Sequence, residues 1–197
     1  DVGLHFNFHE ASVRGKDFDL RTIFDNTILM SDSMQAVSFV DNHDSQKGSA
    51  LESQIESWFK PHAYAIILLA ERGYPCLFYG DYYGVGGQES EHRWIIDQLL
   101  HVRKHYAYGG EIDYFDDPNL VGIYRTGREN ELNTGCVAIL SNNEDGEKLI
   151  EVGQNRTGQV WKEVTGSGFD NVVIDDSGFA AFKVKAGKIS VWVPEEK

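Results

Sequence analysis

The chain has 197 residues, of which 41% are hydrophobic and 25% charged, as in an ordinary globular protein. It carries 18 Lys and Arg against 31 Asp and Glu, and the resulting net charge of −13 repels the phosphate backbone of nucleic acids. The sequence has no apolar run of the ~18 residues that a membrane span needs. We therefore expect neither a nucleic-acid nor a membrane partner. No signal-peptide pattern is visible, and because the sequence opens with Asp1 and not with Met, we interpret it as a processed chain or a piece of a longer one.

The first 109 residues alternate strand-like and helix-like patterns, which is typical of a parallel sheet with helices between its strands. Pro61 is expected to break or kink the helix before it, or to open a new helix in its first turn. This part predicts three β–α units, with strands at residues 2–8, 36–40 and 76–79, and helices at 19–29, 51–59, 63–73 and 94–106.

From residue 110 onward, short β-like runs are separated by turn residues such as Asp145-Gly146. Strands are predicted at residues 120–124, 136–140, 148–152, 159–164, 171–174, 179–184 and 189–193. Short strands in this number predict an antiparallel β-sandwich. Cys76 and Cys136 each lie in an apolar run, which predicts two buried free thiols.

The most informative segment is FVDNHD at residues 39–44, where an apolar strand runs directly into four polar residues. Ligands bind at the carboxyl ends of strands in parallel α/β sheets, so Asp41, Asn42, His43 and Asp44 are candidates to orient a polar substrate. Asp and Asn are also ordinary turn and capping residues, and the spacing alone does not decide between the two interpretations.

A second strand-like run ends in FYGDYYG at residues 78–84. Tyrosine rings stack on the apolar faces of sugars, so Asp81 with its neighbouring tyrosines is a candidate sugar-binding rim. Alternatively, Asp81 caps a loop.

Four segments in this order, FVDNHD at 39–44, WFKP at 58–61, AYA at 63–65 and GYPCLFYGD at 73–81, resemble the C-terminal portion of the α-amylases of glycoside hydrolase family 13. The bacterial liquefying enzymes of the Bacillus type are the most similar. Residues 1–5 resemble the sixth barrel strand of these enzymes, and further matches at 106–109, 113–116 and 191–194 extend the likeness over almost the whole chain.

The resemblance implies an α/β plus all-β fold in two domains. Residues 1–109 would hold the last three β/α units, strands six to eight, of a (β/α)8 TIM barrel. Residues 110–197 would form an antiparallel Greek-key β-sandwich, the C-terminal domain of these enzymes. A complete barrel needs about 250 residues, so the first five strands are expected to lie outside the chain.

The activity implied is endo-hydrolysis of α-1,4-glucosidic bonds in starch with retention of configuration, which uses two carboxyl groups about 5–5.5 Å apart. In the family these groups follow strands four and five, which the chain lacks by this match. Asp44 matches the third catalytic carboxylate, which stabilises the oxocarbenium-like transition state. His43 matches a histidine that binds the same sugar, and Gln46 on the following loop is expected to reach the glycan. The chain alone is therefore predicted to be inactive.

The resemblance implies calcium in the intact enzyme, with the ligands of the main site outside this chain and no metal ligand assigned within it. Some relatives bind another calcium ion between the two domains, at positions that match Lys16, Phe18, Asn119 and Asn142. Here two amides replace aspartates, and calcium prefers carboxylate oxygens.

The partners implied are starch or maltooligosaccharides and the N-terminal part of the same enzyme. Unpaired barrel edges also predict association between copies of the chain. The compartment stays open, since relatives occur in the bacterial cytoplasm and as secreted proteins.

Two alternatives remain at this stage. The chain could be a non-catalytic carbohydrate-binding or structural module, in which Trp161 or Trp192 of the sandwich binds maltooligosaccharides. It could also serve a different chemistry of the same family, such as transglycosylation or α-1,6 hydrolysis.

Overall fold

A computed structural model describes residues 1–195, in which helices predominate before residue 110 and antiparallel strands after it. The helices are α1 (Val2–Arg14), α2 (Ile28–Ser31), α3 (Lys60–Leu69), α4 (Tyr79–Tyr83) and α5 (Arg93–His105). The strands are β1 (Val37–Phe39), β2 (Tyr74–Cys76), β3 (Glu111–Tyr114), β4 (Leu120–Arg125), β5 (Cys136–Ser141), β6 (Gly146–Glu151), β7 (Val160–Glu163), β8 (Val172–Val173), β9 (Phe179–Val184) and β10 (Ile189–Pro194). Among the described residues, no helix is long and apolar enough to cross a membrane.

The predicted strand at residues 2–8 is wrong, because this segment lies within helix α1. Its apolar residues fit both periods: Leu4, Phe8 and Ala11 follow the spacing of one helical face, and all three are buried. Asp1 caps the helix by accepting a hydrogen bond from the backbone N–H of Leu4 at 3.1 Å. Residues 1–5, which resemble the sixth barrel strand of the family, therefore form no strand in this structure.

Strands β1 and β2 pair in parallel over three residues, from Val37 opposite Tyr74 to Phe39 opposite Cys76. The third predicted strand is misplaced, because β2 ends at Cys76 and residues 79–83 form helix α4. Within the described residues, the barrel-like part thus contributes two parallel strands, where the sequence predicted three.

Two of the predicted helices are much shorter than expected. Residues 19–29 contain one 3-10 turn, Leu20–Thr22, and the start of α2. The segment predicted as a helix at residues 51–59 is a loop that ends in the 3-10 turn Ser57–Phe59. Helix α3 follows it directly with Pro61 in its first turn, as predicted, since proline lacks only an N–H that the first turn leaves unbonded.

The antiparallel part consists of a six-stranded sheet of order β3-β4-β5-β10-β7-β8 and a two-stranded sheet, β6-β9. All seven strands predicted here form, and β3 is added, a strand of four residues whose apolar side chains are limited to Ile112 and Tyr114. Trp161, Trp192 and Phe182 fill the core between the sheets and are fully buried. The hypothesis that either tryptophan binds sugar is therefore wrong.

The two parts share one hydrophobic core, in which Phe59 and Leu69 belong to the same buried cluster as Val121 of β4 and Val191 of β10. The domain boundary at residues 109 and 110 stays a prediction. Polar contacts cross the same junction, since Nε2–H of buried His62 on α3 donates to the carbonyl of Ser141 at 2.9 Å.

The two thiols differ in exposure, and neither forms a disulfide. Cys136 on β5 is buried as predicted, but Cys76 is exposed at the end of β2. The prediction for Cys76 rested on its position in an apolar strand-like run, which would be buried inside a complete sheet. In the structure β2 pairs with β1 on one edge.

Candidate functional site

A cleft of about 850 Å³ opens where strands β1 and β2 end. Four chain segments line it: α1, with His9; the turn after β1, with Asp41 and Gln46; the start of α3 and the loop before it, with Lys60; and the α4 region, with Asp81 and His92. The location is the one where parallel α/β sheets bind ligands.

Asp41 leaves the end of β1 as a buried carboxylate, with 2% of its surface exposed. Its Oδ2 lies 2.9 Å from Nζ of Lys60, and its Oδ1 accepts a hydrogen bond of 2.9 Å from Oγ of Ser45. Asp41 is therefore held at both oxygens, Oδ1 by a hydrogen bond and Oδ2 by the ion pair with Lys60, although Oδ2 accepts no hydrogen bond from the described residues.

Lys60 begins helix α3, and its ammonium group is buried between two carboxylates, Asp41 and Asp81. Tyr64, one turn along the helix, donates its hydroxyl to Oδ2 of Asp81 at 2.7 Å. Burial would lower the pKa of Lys60, but the negative charges of Asp81 and Asp41 outweigh it and raise the pKa above its usual value. Burial and the nearby Asp81 raise the pKa of Tyr64, which keeps its hydroxyl protonated as a donor.

The sequence interpretation missed Lys60, although a signal was present. Lys60 is the one charged residue in KPHAYAIILL at residues 60–69, a segment otherwise apolar enough to be buried on all sides. A lysine in such a helix is almost never buried without an acidic partner. Its partners, Asp41 and Asp81, lie at distant positions of the sequence and could not be assigned without the fold.

The turn that follows Asp41 holds the predicted catalytic residue. Asn42 Oδ1 accepts hydrogen bonds from the backbone N–H groups of Asp44 at 2.8 Å and Ser45 at 3.0 Å, which is an Asx-type turn. Asn42 therefore caps a turn, as one of the two sequence interpretations predicted, and the side chain of Asp44 is exposed. The role of Asp44 in orienting a substrate stays a prediction.

His43 and Asp44 stand together on this exposed turn, with 3.4 Å between Nε2 and Oδ1. Their side chains are 82% and 60% exposed, respectively. Gln46 lines the cleft and donates from Nε2 to the carbonyl of His43 at 3.3 Å. The three predicted site residues thus lie on one turn, of which Gln46 lines the cleft whereas His43 and Asp44 are not among its lining residues.

His5 on α1 contacts the end of strand β1. Its Nδ1 lies 2.6 Å from the carbonyl oxygen of Val40, and its Nε2 lies 2.8 Å from Oγ of Ser53. The ring is buried and joins α1, the end of β1 and the loop that leads to α3.

The residues matched to a calcium site between the two parts form a network of amide hydrogen bonds. Asn119 donates from Nδ2 to the carbonyl of Lys16 at 2.7 Å and to Oδ1 of Asn142 at 2.8 Å. Asn142 donates from Nδ2 to the carbonyls of Gly15 at 3.0 Å and Phe18 at 2.8 Å. The two side chains are neutral and present N–H donors to these carbonyls, whereas calcium prefers carboxylate oxygens.

Elsewhere in the described residues, no group of three or more His, Cys, Asp and Glu side chains is placed to hold a metal ion.

Comparisons with known proteins identify relatives along the whole chain. No protein-family model matches it. The chain is 45% identical over 194 residues to a glucan 1,4-α-maltohexaosidase from Bacillus sp. strain 707, an alignment that covers 98% of this chain and 38% of that protein. It is 41% identical over 197 residues to an α-amylase from Bacillus licheniformis, again with 98% and 38% covered. The chain therefore spans about two fifths of the length of these curated relatives and matches their C-terminal part.

Among solved structures, an α-amylase from Geobacillus thermoleovorans in complex with acarbose superimposes with a TM-score of 0.69 at 15% identity. The alignment covers 98% of this chain and 47% of that one. This likeness shows the fold, namely the last part of a (β/α)8 barrel followed by an antiparallel β domain.

Proposed function

Because the chain belongs to the α-amylase family, glycoside hydrolase family 13, we propose that it is the C-terminal portion of an enzyme that hydrolyses internal α-1,4-glucosidic bonds of starch. The observation that carries this proposal is the 41–45% identity to Bacillus enzymes over nearly all of the chain. The cleft at the ends of β1 and β2 supports it, because Asp41 of the FVDNHD motif and Gln46 of the same turn line it.

In this proposal Asp44 stabilises the transition state. Its exposed carboxylate accepts hydrogen bonds from sugar hydroxyls at the bond to be cleaved, and these bonds strengthen as positive charge develops on the sugar ring. His43 donates to the same sugar, and Gln46 contacts the glycan from the cleft wall. The nucleophile and the acid/base that retention requires are supplied by the N-terminal portion of the enzyme, which also holds calcium.

The 197-residue chain by itself is then expected to leave starch intact. A fusion that joins it to the N-terminal portion of the Bacillus licheniformis α-amylase is expected to release reducing ends from maltoheptaose. Hydrolysis by the purified 197-residue chain would contradict this division of roles. A fusion that unfolds cooperatively but has no activity would contradict the proposed function.

Within the active fusion, Asp44→Asn keeps the size of the side chain and removes its charge. We expect kcat to fall on the order of 100- to 1,000-fold, the range for losing one preorganised electrostatic group in an active site. Asp176→Asn is the matched control, because Asp176 is an exposed aspartate of the antiparallel part, far in sequence from the cleft.

A further inference from the structure

We propose that Lys60 is a positioning residue that fixes the turn carrying Asp44 relative to the end of β2. Its ammonium group bridges Asp41, which follows β1, and Asp81, which lies in α4 after β2. The catalytic consequence of this bridge rests on the proposed function, whereas the ordering of the turn does not.

One side of the bridge leads to Asp44 through a continuous series of contacts. Asp41 accepts from Oγ of Ser45 at 2.9 Å, and this oxygen in turn accepts from the backbone N–H of Asn42 at 3.0 Å. The side chain of Asn42 then holds the backbone N–H of Asp44 at 2.8 Å. A displacement of Asp41 is therefore expected to disturb the hydrogen bonds that connect it to Asp44.

The other side of the bridge leads to the opposite wall of the cleft. Asp81 lines the cleft, is 5% exposed and is held by the hydroxyl of Tyr64 as well as by Lys60. Its backbone carbonyl accepts a hydrogen bond from Oγ of Ser90, another cleft residue. Lys60 thus ties together the two segments between which a ligand would lie.

This bridge is needed because the backbone pairing of the two strands is short. Strands β1 and β2 share three paired positions, and the polar residues of the cleft lie beyond the last of these, Phe39 opposite Cys76. The spacing of the two walls is therefore determined by side chains. A buried ion pair with good geometry restricts this spacing more than a flexible surface contact would.

Backbone hydrogen exchange in the 197-residue chain tests the positioning role without any activity. In Lys60→Met, the amides of Asp44 and Ser45 are expected to exchange at least about tenfold faster, because opening of their turn becomes local and frequent. Amides of the core strand β5 report on overall stability and serve as the internal reference. Lys148→Met is the matched control, since Lys148 is also buried and ion-paired, with Asp116, but lies in the antiparallel part.

Ser45→Ala provides a second variant in case Lys60→Met does not fold. It removes the hydroxyl between Asp41 and Asn42 and leaves the buried charges paired. Faster exchange at the amide of Asp44 is again expected, with β5 unchanged. Unaltered exchange of Asp44 in Ser45→Ala, or in a folded Lys60→Met, overturns the proposal.

Kinetics in the fusion enzyme test the catalytic consequence. Lys60→Met is expected to lower kcat at least about tenfold with a smaller change in KM, because a misplaced Asp44 loses contacts that matter mainly in the transition state. Lys60→Arg, which keeps a cation, is expected to recover part of kcat, and Lys148→Met to retain it. A parent fusion without activity argues against the proposed function, while exchange at Asp44 still decides the positioning role. An active fusion in which Lys60→Met keeps full kcat overturns the catalytic consequence.

Discussion

Asn119 donates a hydrogen bond of 2.8 Å from its Nδ2 to Oδ1 of Asn142, at the point where the antiparallel part contacts the turn after α1. Both side chains also donate to backbone carbonyls of that turn, at Gly15, Lys16 and Phe18. The neutral amides of Asn119 and Asn142 therefore join the antiparallel part to the turn after α1 through hydrogen bonds. Aspartates at these positions would place negative carboxylate oxygens against the partially negative carbonyl oxygens.

This amide network predicts that the 197-residue chain unfolds at the same temperature with calcium and with a chelator. In Asn119→Asp/Asn142→Asp, four donated hydrogen bonds are lost, each of which contributes about 1 kcal/mol, and carboxylates face carbonyl oxygens. We expect the double variant to be destabilised in chelator and to recover with calcium, which supplies the missing positive charge. Thermal unfolding followed by circular dichroism measures both effects. A calcium-dependent midpoint in the unmodified chain would contradict the prediction.

His62 predicts a loss of stability in mild acid. Burial lowers the pKa of its imidazole from 6.5 to about 4, although the carbonyl of Ser141 favours the protonated form; the nearby charge of Lys188 adds to the lowering. Below pH 6.5 the imidazole is protonated in the unfolded chain, whereas in the folded chain it stays neutral down to about pH 4. The free energy of unfolding therefore falls as the pH drops from 6.5 to about 4. The whole decrease in the free energy of unfolding across this range is about 3 kcal/mol.

His62→Gln tests this assignment, because a glutamine amide can still donate to Ser141 and does not titrate. Urea midpoints at pH 7 and pH 5 should differ less for the variant than for the unmodified chain. Equal pH dependence of the two proteins would mean that other groups cause the acid sensitivity.

We expect any side chain at Gly109, at the junction of the two parts, to lower the free energy of unfolding strongly. Its φ is +74°, and a Cβ there would lie 2.1 Å from the backbone oxygen of Gly127. Gly158 is a matched control with the same φ of +74° and open space around its Cβ position. Gly158→Ala should therefore cost about 1 kcal/mol from backbone strain, and Gly109→Ala should cost clearly more. Denaturant unfolding compares the two variants, and equal losses would show that the close approach relaxes freely.

The sequence was sufficient for seven of the eight described strands of the antiparallel part, because each of these has its own apolar run and its own turn, whereas the short strand β3 was not predicted. Phe179–Val184 was predicted to the residue, since Ala180, Phe182 and Val184 point into the core. Helix α1 was not predicted, because Leu4 and Phe8 satisfy the period of a strand and of a helix alike. The choice between the two depends on the rest of the fold.

The candidate site was only partly predictable for the same reason. The polar run at residues 39–44 is visible locally, and the turn predicted for it forms around Asn42. The pairing of Lys60 with Asp41 and Asp81 depends on the parallel packing of two strands, which no local pattern encodes. Ion pairs between residues far apart in the sequence, such as those of Lys60, therefore could not be predicted without the structure.

Cys76 offers a direct test of whether a partner covers the end of β2. Its thiol is exposed, while burial raises the pKa of Cys136 to about 12 and keeps that thiol unreactive. A chromogenic disulfide reagent should therefore modify one thiol in the native chain and two in urea.

If the N-terminal portion of the enzyme completes the barrel, its strands and helices cover the end of β2. Addition of the N-terminal portion of the Bacillus licheniformis α-amylase should then slow the reaction of Cys76. Serum albumin, with its own thiol blocked, is the control for nonspecific crowding. Association between copies of this chain would instead slow the reaction as its own concentration rises. A rate that neither the added portion nor the chain concentration changes would show that both partners leave this strand end uncovered.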